Sequence, residues 1–212
     1  MPTRRHLECD SPSGQNGRKT AQRVLSGGKY AVGLVFVVGL GFACQAWAQA
    51  VEESQVKAAY LYNLAKFVEW PAGVFRAPDD PAVICVTGDE HTSDFLKQAV
   101  SGKKVNGRRV DVRSTYSPAQ FRLCHILFIG FSDRKHIMNA LDQLRETSVL
   151  TVGQSDQFIR LGGMINLTSG NTTIELEIAP EASNAAGLKI SSRLLVVARL
   201  VKAGAAGPGG MR

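Results

Sequence analysis

The strongest constraint on this chain is a set of short, wholly apolar runs separated by helix-length stretches. Ala82–Thr87 and His125–Ile129 are runs of strand length with no outward polar alternation. A strand with one wet face alternates; a strand apolar on both sides belongs to a sheet covered on both faces, the habit of parallel sheets. Between these runs lie segments with helical spacing. Thr92 to Val100 reads as a helix, as does the stretch from the capping residue Ser132 to about Glu146, with Ile137, Met138, Leu141 and Leu144 inward. Val149–Val152 reads as another short strand. Met164–Thr168, the turn Ser169-Gly170-Asn171 and the alternating Thr172–Ile178 read as a hairpin. Strands alternating with helices predict an α/β fold, a three-layer sandwich with a mostly parallel mixed sheet and a late antiparallel hairpin.

Both ends of the chain read differently. A first helix is expected over Glu52–Glu69, with Val56, Ala59, Tyr60, Asn63, Leu64, Phe67 and Val68 on one face. It must stop near Trp70, because Pro71 disfavours helical geometry in the residue before it. Pro180–Ala186 and Ser191–Val201 read as the last helices. The Gly/Ala segment 203–212 has nothing to bury.

Residues 1–48 have the order of a secretory signal: a basic stretch, about fifteen uncharged residues from Tyr30 to Cys44, then the small-x-small site Ala46-Trp47-Ala48. The apolar run is shorter than the ~20 residues of a spanning helix, and a retained N-terminal anchor is the other reading. Cleavage after Ala48 leaves a single domain over 49–202 and its tail. The formal charge of +7 then misleads, since six basic residues against two acidic ones lie in 1–48. The remaining charge is too balanced to argue for nucleic acid.

With Cys9 and Cys44 removed, Cys85 and Cys124 remain. In an oxidising compartment an even pair reads as one disulfide, and adjacent strands lie close enough for it. Two free buried thiols are the alternative. No Cys-x-x-Cys exists, so a thioredoxin-type centre is excluded.

Motifs for catalysis are missing. The chain has no phosphate loop, no dinucleotide fingerprint, no H-E-x-x-H and no G-x-S-x-G elbow, and its histidines lack zinc spacing. No cofactor or metal is expected, and the chain does not read as an enzyme. His125, opening a buried strand, reads as a structural histidine. Lys103-Lys104 and Arg108-Arg109 form a small basic cluster around a turn; a solvated hairpin and an anionic partner are its two readings. Trp70 follows Tyr60, Tyr62 and Phe67 and suits either core packing or an aromatic partner surface with Phe67 and the loop beginning at Phe75.

Ala58-Ala-Tyr-Leu-Tyr-Asn-Leu-Ala-Lys-Phe-Val-Glu-Trp-Pro71 resembles the opening signature of the YfiR-like family, also known by its HmsC members. Phe158-Ile-Arg-Leu-Gly-Gly-Met-Ile165 and Ala186-Gly-Leu-Lys-Ile-Ser-Ser-Arg-Leu-Leu195 agree with it in order and spacing. The resemblance implies a secreted α/β protein of the periplasm. It implies a regulator that represses a membrane-bound diguanylate cyclase by binding its periplasmic sensor region, controlling cyclic-di-GMP and biofilm. It also implies capture by an OmpA-like outer-membrane lipoprotein and a homodimer. Cys85 and Cys124 match the family's long-range cysteine pair; its second, short-loop pair has no counterpart. The competing expectation is a periplasmic small-ligand-binding module feeding a sensor protein. Its site would lie at the loops after Val86, Ile129 and Val152, with Arg160 as an anion partner.

Overall fold

The computed structural model describes residues 53–169 and 174–202. The expected signal segment, the tail and the tip of the late hairpin lie outside these residues.

The helix α1 (53–67) runs into a two-residue strand β1 (Val68–Glu69). Next come β2 (Ala82–Thr87), α2 (Glu90–Val100), the hairpin β3 (Lys104–Val105) and β4 (Arg108–Ser114), and α3 (Pro118–Phe121). Then follow β5 (Ile126–Ile129), α4 (Arg134–Gln143), β6 (Leu150–Gly153), β7 (Ile165–Ser169) and β8 (Ile174–Ile178). The chain closes with α5 (Pro180–Ala185), β9 (Lys189–Ile190), α6 (Ser192–Val197) and β10 (Arg199–Leu200).

Among the described residues eight strands form one sheet in the order β10-β8-β7-β6-β5-β2-β4-β3, and β1 and β9 form a separate antiparallel pair. Within the large sheet only β7–β8 and β3–β4 pair antiparallel; the other five pairings are parallel. The late hairpin is thus not the sheet's edge, because β10 adds outside β8.

The two-faced strands divide their residues cleanly. Ile84, Val86, Ile126, Phe128, Leu150 and Val152 face α1 and α2 in one cluster. Val83, Cys85, Leu127 and Ile129 face α4 and Phe158 in the other. Each side chain so buried is worth roughly 1.5–3 kcal/mol relative to exposure.

Four expectations need correction. The helix α1 buries Ala58, Leu61, Leu64 and Ala65, whereas Val56, Ala59 and Asn63 are exposed. Both stripes have helical spacing, and the sheet takes the more aliphatic one. The α4 cap is Asp133, whose carboxylate accepts from the His136 amide, rather than Ser132, and the helix ends at Gln143. Met138 is 39 % exposed, outside the buried face. The expected last helix ends at Val197, and Arg199–Leu200 becomes a strand, with Val201 N–H donating to Ile178 O. Edge pairing there outweighs helical spacing that has no sheet to cover.

Candidate partner-binding site

The loop after α1 builds an aromatic column. Trp70 Nε1 donates to His125 O at 3.3 Å, and its ring meets Phe75 edge-on at 5.9 Å. Phe75 stacks on His125 at 4.3 Å, and the Arg108 guanidinium lies over the other face of Phe75 at 4.0 Å. Arg108 also donates to Ala77 O and Asp80 O, while the Asp80 carboxylate accepts from the Arg76 and Ala77 amides. The loop is therefore held by charge-assisted bonds at both ends. Arg108 thereby leaves the basic cluster of its sequence neighbours.

His125 is a satisfied structural histidine: its Nδ1 accepts from the Val83 amide at 3.0 Å. Burial, and secondarily the Arg108 charge, push its pKa below the ordinary 6.5. Because the folded state prefers the neutral ring, the stability it contributes is complete above 6.5 and is lost as pH falls from there through the depressed value. We expect unfolding midpoints to fall across that window, and His125→Asn, whose Oδ1 can replace Nδ1 as acceptor, to flatten the dependence. An unchanged slope in the variant would assign the effect elsewhere.

Beside the column, Cys85 and Cys124 are joined by a disulfide with a Cα–Cα distance of 5.8 Å. Cys124 and His125 line a groove of about 550 Å3 with Arg76, Arg113 and Arg122. Val83, His125 and Val149 place it at the amino ends of β2, β5 and β6. At the carboxyl ends, where the loops after Val86, Ile129 and Val152 were expected to form a ligand site, side chains pack together. The Phe131 ring lies against Gly88, Gln154 Nε2 donates to Gly130 O, and buried Lys57 reaches Gln154 and Glu53. Lys57 and Ser169 hold the Glu53 carboxyl below its usual range. Arg160 sits exposed on the turn between β6 and β7. Among the described residues no group of three or more His, Cys, Asp or Glu could hold a metal ion, and no helix is long and apolar enough to cross a membrane.

The structure does not gather Phe67, Trp70 and Phe75 into one open surface. Phe67 and Trp70 pack half-buried against the core and Phe75 is taken by the column. Leu123 and Tyr116 are exposed singly, and the most exposed apolar side chains come together at the β10 edge of the sheet. Val196 is 85 %, Val197 75 % and Leu200 56 % exposed. A groove of about 380 Å3 joins Val197 and Leu194 to Ile174, Leu176 and Tyr60. Tyr60 also lines a shallow depression with Val56, Ala59 and Asn63, the stripe of α1 that the sheet leaves uncovered. Glu175 and Arg199 border the groove, and exposed apolar surface with a polar rim is the kind that interaction sites use. Its sequence signal lies in the stripe of α1 that was expected to face inward and in the apolar run Leu194-Leu195-Val196-Val197 of the last helix.

Residues 54–199 match a protein family described as YfiR/HmsC-like. Among solved structures, the chain is similar to the ABC domain in complex with L-Trp from Streptococcus pneumonia, at 9 % identity and a TM-score of 0.41, over 56 % of this chain and 55 % of that one. It is also similar to a conserved domain protein from Vibrio cholerae, at 11 % identity and a TM-score of 0.44, over 57 % and 55 %. The chain thus spans little more than half the length of these two structures.

Proposed function

We infer the role of this protein from a plain premise: the chain belongs to the YfiR/HmsC-like family. On that premise we propose a non-enzymatic periplasmic regulator, exported by residues 1–48 with cleavage after Ala48. It binds the periplasmic sensor region of an inner-membrane diguanylate cyclase and represses cyclic-di-GMP synthesis. An OmpA-like outer-membrane lipoprotein would compete for it, and it would act as a homodimer. Repression requires only that it bind the cyclase's inactive arrangement more tightly than the active one.

The observation that carries the reading is the exposed apolar edge at Val196, Val197 and Leu200. We assign the cyclase contact to this edge, with the Trp70–Phe75 column as a second contact region that shapes the loop. Coexpression with the diguanylate cyclase of the same genome should lower cyclic-di-GMP, and deleting the signal should abolish the fall. Val197→Asp should weaken partner binding roughly 30-fold, the ~2 kcal/mol of a hot-spot residue, with the fold intact by circular dichroism. Normal repression by Val197→Asp would remove this edge from the reading.

The groove lined by Arg76, Arg113 and Arg122 favours a second reading, a small-ligand-binding module for an anion. Arg160 lies outside the residues lining it. Thermal shifts against amino acids, nucleotides and sugars test it, and no shift with any of them would end it.

A further inference from the structure

The other edge of the sheet carries a feature that neither the core nor the turn requires. β3 pairs only Lys104 with Arg109 and Val105 with Arg108. From Val110 to Ser114, β4 is paired with β2 on one side and with no strand on the other among the described residues. A groove of about 520 Å3 runs beside that stretch, between the end of α2 and the turn that follows it. Five consecutive β4 residues, Arg109 through Arg113, line the groove. A groove over a sheet face would meet alternate residues, because successive side chains point to opposite faces. Five in a row place this groove along the strand's edge, where main-chain N–H and C=O groups point outward. At about 3.3 Å per residue the open stretch is roughly 16 Å long.

The charge of the groove is one-sided. Lys97, Lys103, Lys104, Arg109 and Arg113 line it against Asp111 alone. Lys104 and Arg109 are direct partners across the antiparallel pair, an arrangement of like charges that destabilises a hairpin. The hairpin cannot slip to relieve it. Asn106 at φ 49° and Gly107 at φ 83° form a two-residue turn with both central residues left-handed, and that turn sets the register. Among the described residues neither Lys104 nor Arg109 has a carboxylate within ion-pair distance.

We propose that this edge receives an extended acidic segment of a partner protein by strand addition. Main-chain bonds form along Val110–Ser114, and Asp or Glu side chains meet Lys97, Lys104, Arg109 and Arg113. Cationic side chains along an open edge repel a second copy of the same edge; the same field draws in an acidic strand. A linear anionic polysaccharide would answer the charges but leave the main-chain groups unbonded, so the peptide is the better occupant. The proposal deepens the partner-binding reading and rests on it, naming a contact surface chemically unlike the apolar edge.

The test is titration of the periplasmically exported protein with a fluorescent peptide of alternating Glu and Val, at low and high salt. We expect binding that weakens with salt, falls at least about tenfold in Lys104→Glu/Arg109→Glu, and is lost when alternate peptide amides are N-methylated. The milder Lys104→Gln/Arg109→Gln variant should give a smaller loss, with circular dichroism confirming that both variants fold. No binding overturns the proposal, as does equal binding by the N-methylated peptide or by a polyuronate, which would leave a charged strip without strand addition. The cyclase assay separates the two failures: a protein that ignores the peptide yet still lowers cyclic-di-GMP loses this edge alone, and one that does neither loses both readings.

Discussion

Cys85→Ala/Cys124→Ala should lower the unfolding free energy by about 4 kcal/mol, as read by denaturant titration against the oxidised protein. The two residues are 39 apart in sequence, so the cross-link removes a long loop from the unfolded ensemble. In the folded state it ties β2 to a residue two positions before β5, and these strands already pair through Ile84 and Ile126. Little native geometry depends on the bond, and the effect falls on the unfolded chain. Both cysteines are buried, at 2 % and 4 % exposure, in the cluster with Val83, Phe121 and Leu127. With both residues this buried, we expect a reductant to reach the bond when the protein opens, as for a structural disulfide. Reduction should proceed at the rate of unfolding. A loss under about 1 kcal/mol, or reduction faster than unfolding, would contradict this account.

Phe158→Ala should cost about 3–5 kcal/mol, the range for truncating a fully buried aromatic. Phe158 is 0 % exposed and stands between two glycines. A Cβ placed on Gly153, at the end of β6, or on Gly163, just before β7, would collide with its ring. Gly163 N–H donates to Phe158 O at 3.0 Å, so the turn folds back on the residue whose ring it covers. Gly163→Ala should therefore cost about 1–3 kcal/mol by overpacking. Combined with Phe158→Leu, whose smaller side chain yields space, Gly163→Ala should cost less than the sum of the two single changes. Additive effects in the double variant would show that the ring does not set the need for glycine.

That triad also shows what could be read in the sequence and what could not. The spacing of Phe158, Gly162 and Gly163 was visible as a motif. Its reason, a ring clamped between Gly163 and the distant Gly153, is a tertiary contact that no local pattern encodes. The apolar runs at 82–87 and 125–129 announced a doubly covered sheet, because only burial on both faces tolerates such strands. The choice between two apolar stripes on α1 was not decidable locally, since Ala58, Leu61, Ala65 and Val56, Ala59, Asn63 obey the same spacing. Buried Lys57 was equally hidden, because its partners Glu53 and Gln154 lie one turn away and on another strand's loop. The basic cluster was visible as a charge run. Its meaning required the register that sets Lys104 against Arg109 and sends Arg108 away to Phe75.

The small pairing of β1 with β9 has a consequence for how the chain is made. It joins Val68 to Ile190 and Glu69 to Lys189, and Ser191 N–H donates to Phe67 O just beyond it. The helix α1, near the start of the described chain, is thus moored by residues near its end. A segment synthesised early has no complete docking site until the last helices have emerged. In the interval, the aliphatic stripe of Leu61, Leu64 and Val68 has no finished cover, and contacts of such high sequence separation form slowly. Apolar surface left uncovered in this way is what makes partly formed chains prone to aggregation.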